Sequence, residues 1–233
     1  MVRTFDVLSA YAASAARLAV GLAVGALGPR PGKLLALYEF EGCPFCRKVR
    51  EALSILDLDA MIFPCPKNGP RFREQVKARG GKAQFPYLVD PNTDSALYES
   101  DDIIRHLFEN YGAGPVPALL SGGVFHNATA GLASLVRGGR GVYYRKARAP
   151  EHPLELYSFE ASPYCRIVRE VLSSLELPYH LHNVAKGSPG RRTFVERSGK
   201  MQVPWLFDPN TNTALFESAD IARYLERTYA EST

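Results

Sequence analysis

Two short strings hold the residues able to do chemistry: Cys43-Pro44-Phe45-Cys46 and, much later, Ser162-Pro163-Tyr164-Cys165. A cysteine attacks as its thiolate, so a reactive one needs a depressed pKa and access to its target. Cys43 is expected where a strand ends and a helix begins, and there unpaired backbone N–H groups and the positive helix end favour an anion. Pro44 suits the first helical turn, where its missing N–H costs nothing. Arg47 and Lys48 are expected to add positive charge nearby. Cys46, one turn on, is placed to attack a mixed disulfide on Cys43 and release it. In the second string Ser162 carries a hydroxyl where the first has a thiol. Cys165 matches Cys46, is expected deeper in its helix, and is the poorer nucleophile.

The two strings sit in a duplication. Residues 35–59 and 154–178 are identical at 15 of 25 positions at an offset of 119, and residues 84–100 and 202–218 at 11 of 17 at an offset of 118. The pattern repeats two whole domains, far longer units than those of a solenoid. In the first, Leu34 to Phe40 reads as a strand, and Val49, Leu53 and Leu56 mark a helix with Arg47, Lys48, Arg50 and Glu51 on its wet faces. Asp59 to Phe63 is a second strand, and Arg71 to Arg79 a helix closed by Gly80 and Gly81. Pro86 opens the strand Tyr87 to Val89, Asp90 to Asp94 is turn chemistry, and Ala96 to Tyr98 returns. Ser100 is expected to cap a last helix carrying Ile103, Ile104, Leu107 and Phe108. Each unit is thus α/β, ordered β-α-β-α-β-β-α. The units are bounded at 33–111 and 153–230, and each follows a segment (1–32 and 112–152) holding a helical stretch rich in small residues.

Composition narrows the function. The 233 residues are 46% hydrophobic and 22% charged with a net charge of +4, which is ordinary for a globular protein. The weak basic cluster of Arg137, Arg140, Arg145, Lys146 and Arg148 comes with no nucleic-acid recognition motif, so no nucleic-acid partner is expected. Leu8 to Gly28 is apolar, but Arg17 interrupts it, and an amphipathic helix on the folded protein explains it better than a membrane span. Four cysteines in a chain this long point to a reducing, cytoplasmic setting rather than a disulfide framework. Cys65, between two prolines, aligns with Val184 and reads as structural. Zinc needs about four Cys or His ligands. Cys43, Cys46 and Cys65 offer three thiols at most, and His106, His126, His180 and His182 fall at unrelated spacings, so no metal site is expected.

Taken together, a strand, CPFC, a helix, a Q-x-P segment before a short strand and Glu-Ser opening a helix resemble the glutaredoxin-type thioredoxin fold. More narrowly they are similar to the N-terminal glutathione-binding domain of the glutathione transferases, over about 80 residues of each half. The resemblance implies a cis proline whose neighbour's backbone pairs with glutathione, at Phe85 and Pro86 and at Val203 and Pro204. It also implies a Glu-Ser pair holding the γ-glutamyl end, at Glu99 and Ser100 and at Glu217 and Ser218. The chain departs from a full transferase in having too few residues, 112–152, for an all-helical domain, which argues against transfer to bulky electrophiles. The apolar helical face left uncovered is expected to be buried by packing the two units about a pseudo-twofold axis.

The resemblance and the residues together imply a glutathione-dependent thiol–disulfide oxidoreductase. Cys43 is then the nucleophile, with Cys46 or a second glutathione resolving, and Ser162 binds glutathione in the second unit. That unit serves either as a transferase-like site, where the hydroxyl activates the bound thiolate, or as a scaffold. Its partners are glutathione and a disulfide-containing small molecule or protein. Two alternatives stand beside it: a non-catalytic binding scaffold, and an iron–sulfur cluster carrier that uses Cys43 and glutathione as ligands.

Overall fold

The structure, a computed structural model, describes residues 20–121 and 139–231. The first unit runs β1 (Leu35–Glu39), α1 (Pro44–Ile55), β2 (Ala60–Pro64), α2 (Arg73–Gly80), β3 (Tyr87–Asp90), β4 (Ser95–Leu97) and α3 (Ser100–Tyr111). After a short helix α4 (Ala118–Ser121) the order repeats as β5 (Leu154–Ser158), α5 (Pro163–Ser174), β6 (Tyr179–Asn183), α6 (Arg191–Ser198), β7 (Trp205–Asp208), β8 (Thr213–Phe216) and α7 (Ser218–Tyr229). Both units are thioredoxin-like. The helical stretches expected before each unit fall mainly on residues 1–19 and 122–138, outside the described residues. Residues 20–28, the end of the apolar Leu8–Gly28 stretch, are not helical and form turns and isolated bridges that pair Ala23 with Lys186 and Leu27 with Gly112.

Within each unit the first two strands are parallel and the third and fourth antiparallel, and the units join into one eight-stranded sheet ordered β4-β3-β1-β2-β6-β5-β7-β8. The join is an antiparallel pairing of β2 with β6, Ala60 facing Leu181, Met61 facing His180 and Ile62 facing Tyr179. Each strand would otherwise be an open edge with unpaired backbone groups, and each covers the other. One sheet face packs on the apolar stripes of α1 and α3 (Val49, Leu53, Leu56, Ile103, Leu107), repeated on α5 and α7 (Val168, Leu172, Leu175, Ile221, Leu225). The other face carries aromatic clusters, Tyr38 with Phe72 and Tyr87, and Tyr157 with Phe194 and Trp205. The repeated DPNT turns act as clamps. Asp90 accepts from Tyr111 Oη (2.6 Å) and from the Asn92 N–H (2.8 Å), while the Asn92 amide bonds both backbone groups of Lys33 ahead of β1. Asp208, Tyr229, Asn210 and His152 repeat the arrangement.

Three expectations are corrected. The charged faces of α1 do not meet water: Arg47, Lys48, Arg50 and Glu51 are all buried. Nor is the seam between the units apolar. Arg50 Nε donates to Glu160 (3.0 Å) and Arg169 Nε to Glu41 (3.0 Å), a reciprocal exchange across the pseudo-twofold axis. Arg166 lies within ion-pair reach of the same two glutamates, and Arg47 within reach of Glu160. Ser54 Oγ accepts from the Glu160 N–H and Ser173 Oγ from the Glu41 N–H. Helical periodicity separates polar from apolar faces, but a partner carrying complementary charges satisfies a polar face as water does. Finally, Ser100 does not cap α3. Glu99 and Glu217 take the cap positions with no capping side-chain bond, and Ser100 and Ser218 are the first helical residues.

The segments ahead of the units cross over. Lys186 exchanges backbone bonds with Leu22 and Val24 (2.9 Å each), so residues ahead of the first unit line the second. Lys67 does the same with Val142 (2.6 Å) and Tyr144 (2.9 Å). Both crossings turn at a glycine with positive φ, Gly21 (+81°) and Gly141 (+71°). At Gly141 a Cβ would lie 2.9 Å from Glu41 Cβ, so bare backbone is required over the charged seam.

Candidate functional site

Cys43 is the N-cap of α1, in extended conformation, with Pro44 following in the first turn. Its sulfur accepts from the Cys46 N–H at 3.3 Å and lies 4.0 Å from the Phe85 carbonyl oxygen. Donation from the Cys46 thiol, aided by the N–H groups of Cys46 and Phe45, holds the Cys43 thiol below the usual range despite its burial. Burial and the neighbouring Cys43 push Cys46 well above that range. What favours the thiolate form here is hydrogen bonding. The cations expected to help are engaged elsewhere, Arg47 with Glu51 and Glu160, and Lys48 with Asp101. Cys43 is only 4% exposed. The crossing segment packs on the preceding turn, where a Cβ at Gly42 would lie 2.2 Å from Val142 Cγ2.

The other expected residues cluster around the two turns. Phe85–Pro86 and Val203–Pro204 are both cis. Glu99 and Glu217 adopt φ of +63° and +66°, uncommon for a side-chain-bearing residue. Each carboxylate accepts from the amide of the glutamine opening its Q-x-P segment, Gln84 and Gln202. Behind them lie the N-terminal ends of α3 and α7, which suit a carboxylate ligand, although the Asp220 N–H is taken by the Glu217 carbonyl at 3.0 Å. In the second unit Ser162 takes the place of Cys43: it caps α5, and its Oγ accepts from the Cys165 N–H at 3.2 Å. Cys165 is fully buried.

The family described as "Glutathione S-transferase, N-terminal domain" matches residues 37–118 and again residues 156–233, the two repeats just described. The chain belongs to that family. Among solved structures, one titled "Leishmania TDR1 - a unique trimeric glutathione transferase" is 17% identical, with 87% of this chain and 68% of that one covered and a TM-score of 0.31. No curated protein matches by sequence.

The two family domains differ behind the helix as well as at the cap. Glu39 at the end of β1 corresponds to Ser158 at the end of β5. Buried Glu39 pairs with Arg50, whereas Arg169 meets Ser158 Oγ at 3.2 Å. Burial outweighs Arg50 and raises the Glu39 carboxyl to about 7. Glu160 is also buried, but Arg169 and Arg50 outweigh that and hold it at about 2. The pH consequences are opposite. From about pH 4.5 to 7 the folded chain keeps a proton on Glu39 that the unfolded chain has lost, so this group makes stability fall as pH rises. The Glu160 contribution is present above about pH 4.5 and is lost as pH falls toward 2. Glu39→Gln is expected to remove the decline between pH 4.5 and 7, a gain on the order of 2 kcal/mol at pH 8. Urea unfolding across that range checks it, and an unchanged slope would count against the raised carboxyl.

Residues that sequence reasoning set aside also come together. His180 and His182 lie on one face of β6 beside Asp59, and the spacing H-x-H on a strand was the available signal. His126 and Arg137 lie outside the described residues. Cys65 is fully buried beside aromatic side chains, and burial pushes its thiol well up. Arg145 and Lys146 are paired with Glu226 and Glu231. No described helix is long and apolar enough to cross a membrane.

Proposed function

We propose that the chain is a glutathione-dependent thiol–disulfide oxidoreductase in which the first domain reacts and the second binds. One observation carries the reading: a cap thiol held low by its CxxC partner stands 4.0 Å from the backbone oxygen of Phe85. Phe85 and Val203 offer backbone groups to the cysteinyl part of glutathione. Ser100 and Ser218, with Glu99 and Glu217, take its γ-glutamyl end.

In the reaction, the Cys43 thiolate attacks the glutathione sulfur of a mixed disulfide. The S–S bond breaks, the substrate thiolate leaves with the electron pair and takes a proton from water, and Cys43 is left disulfide-bonded to glutathione. A second glutathione thiolate attacks that bond, releasing oxidised glutathione and restoring the Cys43 thiolate. The net change is one mixed disulfide and one glutathione to one free thiol and one oxidised glutathione. Resolution by Cys46 would give a Cys43–Cys46 disulfide instead. Its burial and raised pKa favour glutathione as the resolving thiol and give Cys46 the task of donating to Cys43. Ser162 Oγ supplies a hydroxyl to glutathione bound in the second domain.

Glutathione binding is tested by calorimetry on the whole chain. Two equivalents are expected, with Ser100→Ala and Ser218→Ala each weakening one site about ten-fold, the effect of one hydrogen bond to a charged group. No binding heat, or affinity indifferent to both changes, would sink the assignment.

A further inference from the structure

On the face of the sheet away from α1 and α5, at the seam between the units, three potential ligands converge. Asp59 comes from the first unit, just ahead of β2, and His180 and His182 come from β6 of the second. Their donor atoms all lie within 4.8 Å of one another. His182 Nδ1 is 3.0 Å and His180 Nε2 is 4.0 Å from Asp59 Oδ2, and the imidazole centroids are 3.9 Å apart. A tetrahedral ion with bonds of about 2.0–2.2 Å sets neighbouring donors about 3.3 Å apart, so small side-chain rotations would complete such a shell.

Three further observations point to a ligand. His180 Nε2 is buried without a hydrogen bond, 4.0 Å from Asp59 Oδ2. The bond between His182 Nδ1 and Asp59 accounts for His182 and leaves His180 unexplained. The surroundings also have the outer shell that metal-bound histidines use. His182 Nε2 faces Glu155 Oε2 at 3.4 Å, Glu155 is held by Arg197, and Asp59 Oδ1 is fixed by the Asn183 N–H at 2.9 Å. Finally, the duplication supplies an internal comparison. At the matching positions the first unit has Ala36, Met61 and Phe63 where the second has Glu155, His180 and His182. Phe63 stacks on Tyr38 at 4.7 Å much as His182 stacks on Tyr157 at 4.3 Å. The fold therefore needs no histidine here. A cavity of about 550 Å³, lined by Asp59, His182, Arg30 and Lys33 among others, gives an entry path.

We propose that Asp59, His180 and His182 bind a divalent first-row transition ion of the zinc class and thereby tie the two units together across the β2–β6 seam. Two imidazoles and a carboxylate suit such an ion better than magnesium or calcium, which take oxygen ligands. Glu155 acts as a positioning residue, orienting the His182 ring.

The test is titration of the full chain with zinc, and with cobalt(II) as a spectroscopic probe, comparing wild type, Asp59→Asn and the double variant His180→Met/His182→Phe. The double variant borrows the first unit's own residues and is expected to keep the metal-free Tm. Wild type is expected to bind one ion that the double variant binds at least ~100-fold more weakly, with Asp59→Asn at least ~10-fold weaker. Excess zinc is expected to raise the Tm of wild type by several degrees and leave the double variant unmoved. The cobalt spectrum of that site should lack thiolate charge-transfer bands, which separates it from binding at Cys43 and Cys46. No binding by wild type, equal binding by the double variant, or a thiolate spectrum for the only bound ion would each overturn the proposal. Neither reading depends on the other, since glutathione binding is measured without metal.

Discussion

Cys43→Ser is expected to lose more than about 100-fold in glutathione-coupled reduction of a glutathione mixed disulfide, the scale on which removal of a nucleophile acts. The serine retains the cap geometry, as Ser162 does in the second domain, so the loss reports chemistry rather than folding. The behaviour of Cys46 makes the test sharper. If its thiol serves by donating to the Cys43 sulfur, Cys46→Ser keeps a donor and is expected to stay within a few-fold of wild type, about 1 kcal/mol. Cys46→Ala removes the donor, so the Cys43 pKa rises and the rate at neutral pH falls. The pH at which alkylation of Cys43 is half-maximal should move upward in Cys46→Ala alone. Full activity in Cys43→Ser would end the proposed mechanism. An inactive Cys46→Ser with unchanged Cys43 alkylation would instead make Cys46 the obligatory resolving thiol.

Arg169→Met is expected to destabilise the chain by about 3–5 kcal/mol, because it leaves buried carboxylates short of a partner. Arg169 reaches both Glu41 (3.0 Å) and Glu160 (2.9 Å), all three are buried, and the bond to Glu41 crosses between the units. Arg50→Met should act similarly through Glu39, Glu41 and Glu160. By contrast Arg145, half-exposed and paired with Glu226, is expected to change stability by less than about 1 kcal/mol on replacement by alanine. Urea unfolding of the three variants checks the ordering. Arg169→Met within 1 kcal/mol of wild type, at unchanged denaturant slope, would show that the seam charges do not hold the units together.

Much of the fold was legible because its signals are local. Alternation in Leu35–Glu39, the stripe of Val49, Leu53 and Leu56, and Gly81 at φ +83° each specify an element from neighbouring residues alone. The site was partly legible for the same reason, since a CxxC opening a helix, two Q-x-P segments and two Glu-Ser pairs are contiguous strings. The roles of Arg47, Lys48 and Arg50 were not, because a polar helix face reads the same whether it meets water or another unit's carboxylates. His180 and His182 were passed over because their companion, Asp59, lies more than a hundred residues earlier and reaches them only through the β2–β6 pairing.

By itself, then, the chain's sequence determined that one thioredoxin-like unit occurs twice and that only the first copy has a thiol at the helix cap. These follow from identity at a constant offset and from residue type. Only the tertiary structure decided how the copies join, by an edge-to-edge strand pairing and a buried exchange of arginines and glutamates. It also decided that the Cys43 thiolate rests on hydrogen bonds from its partner cysteine rather than on the nearby cations. The physical reason is common to both: desolvation and pairing depend on what faces a charge in space, and the facing groups come from distant parts of the chain.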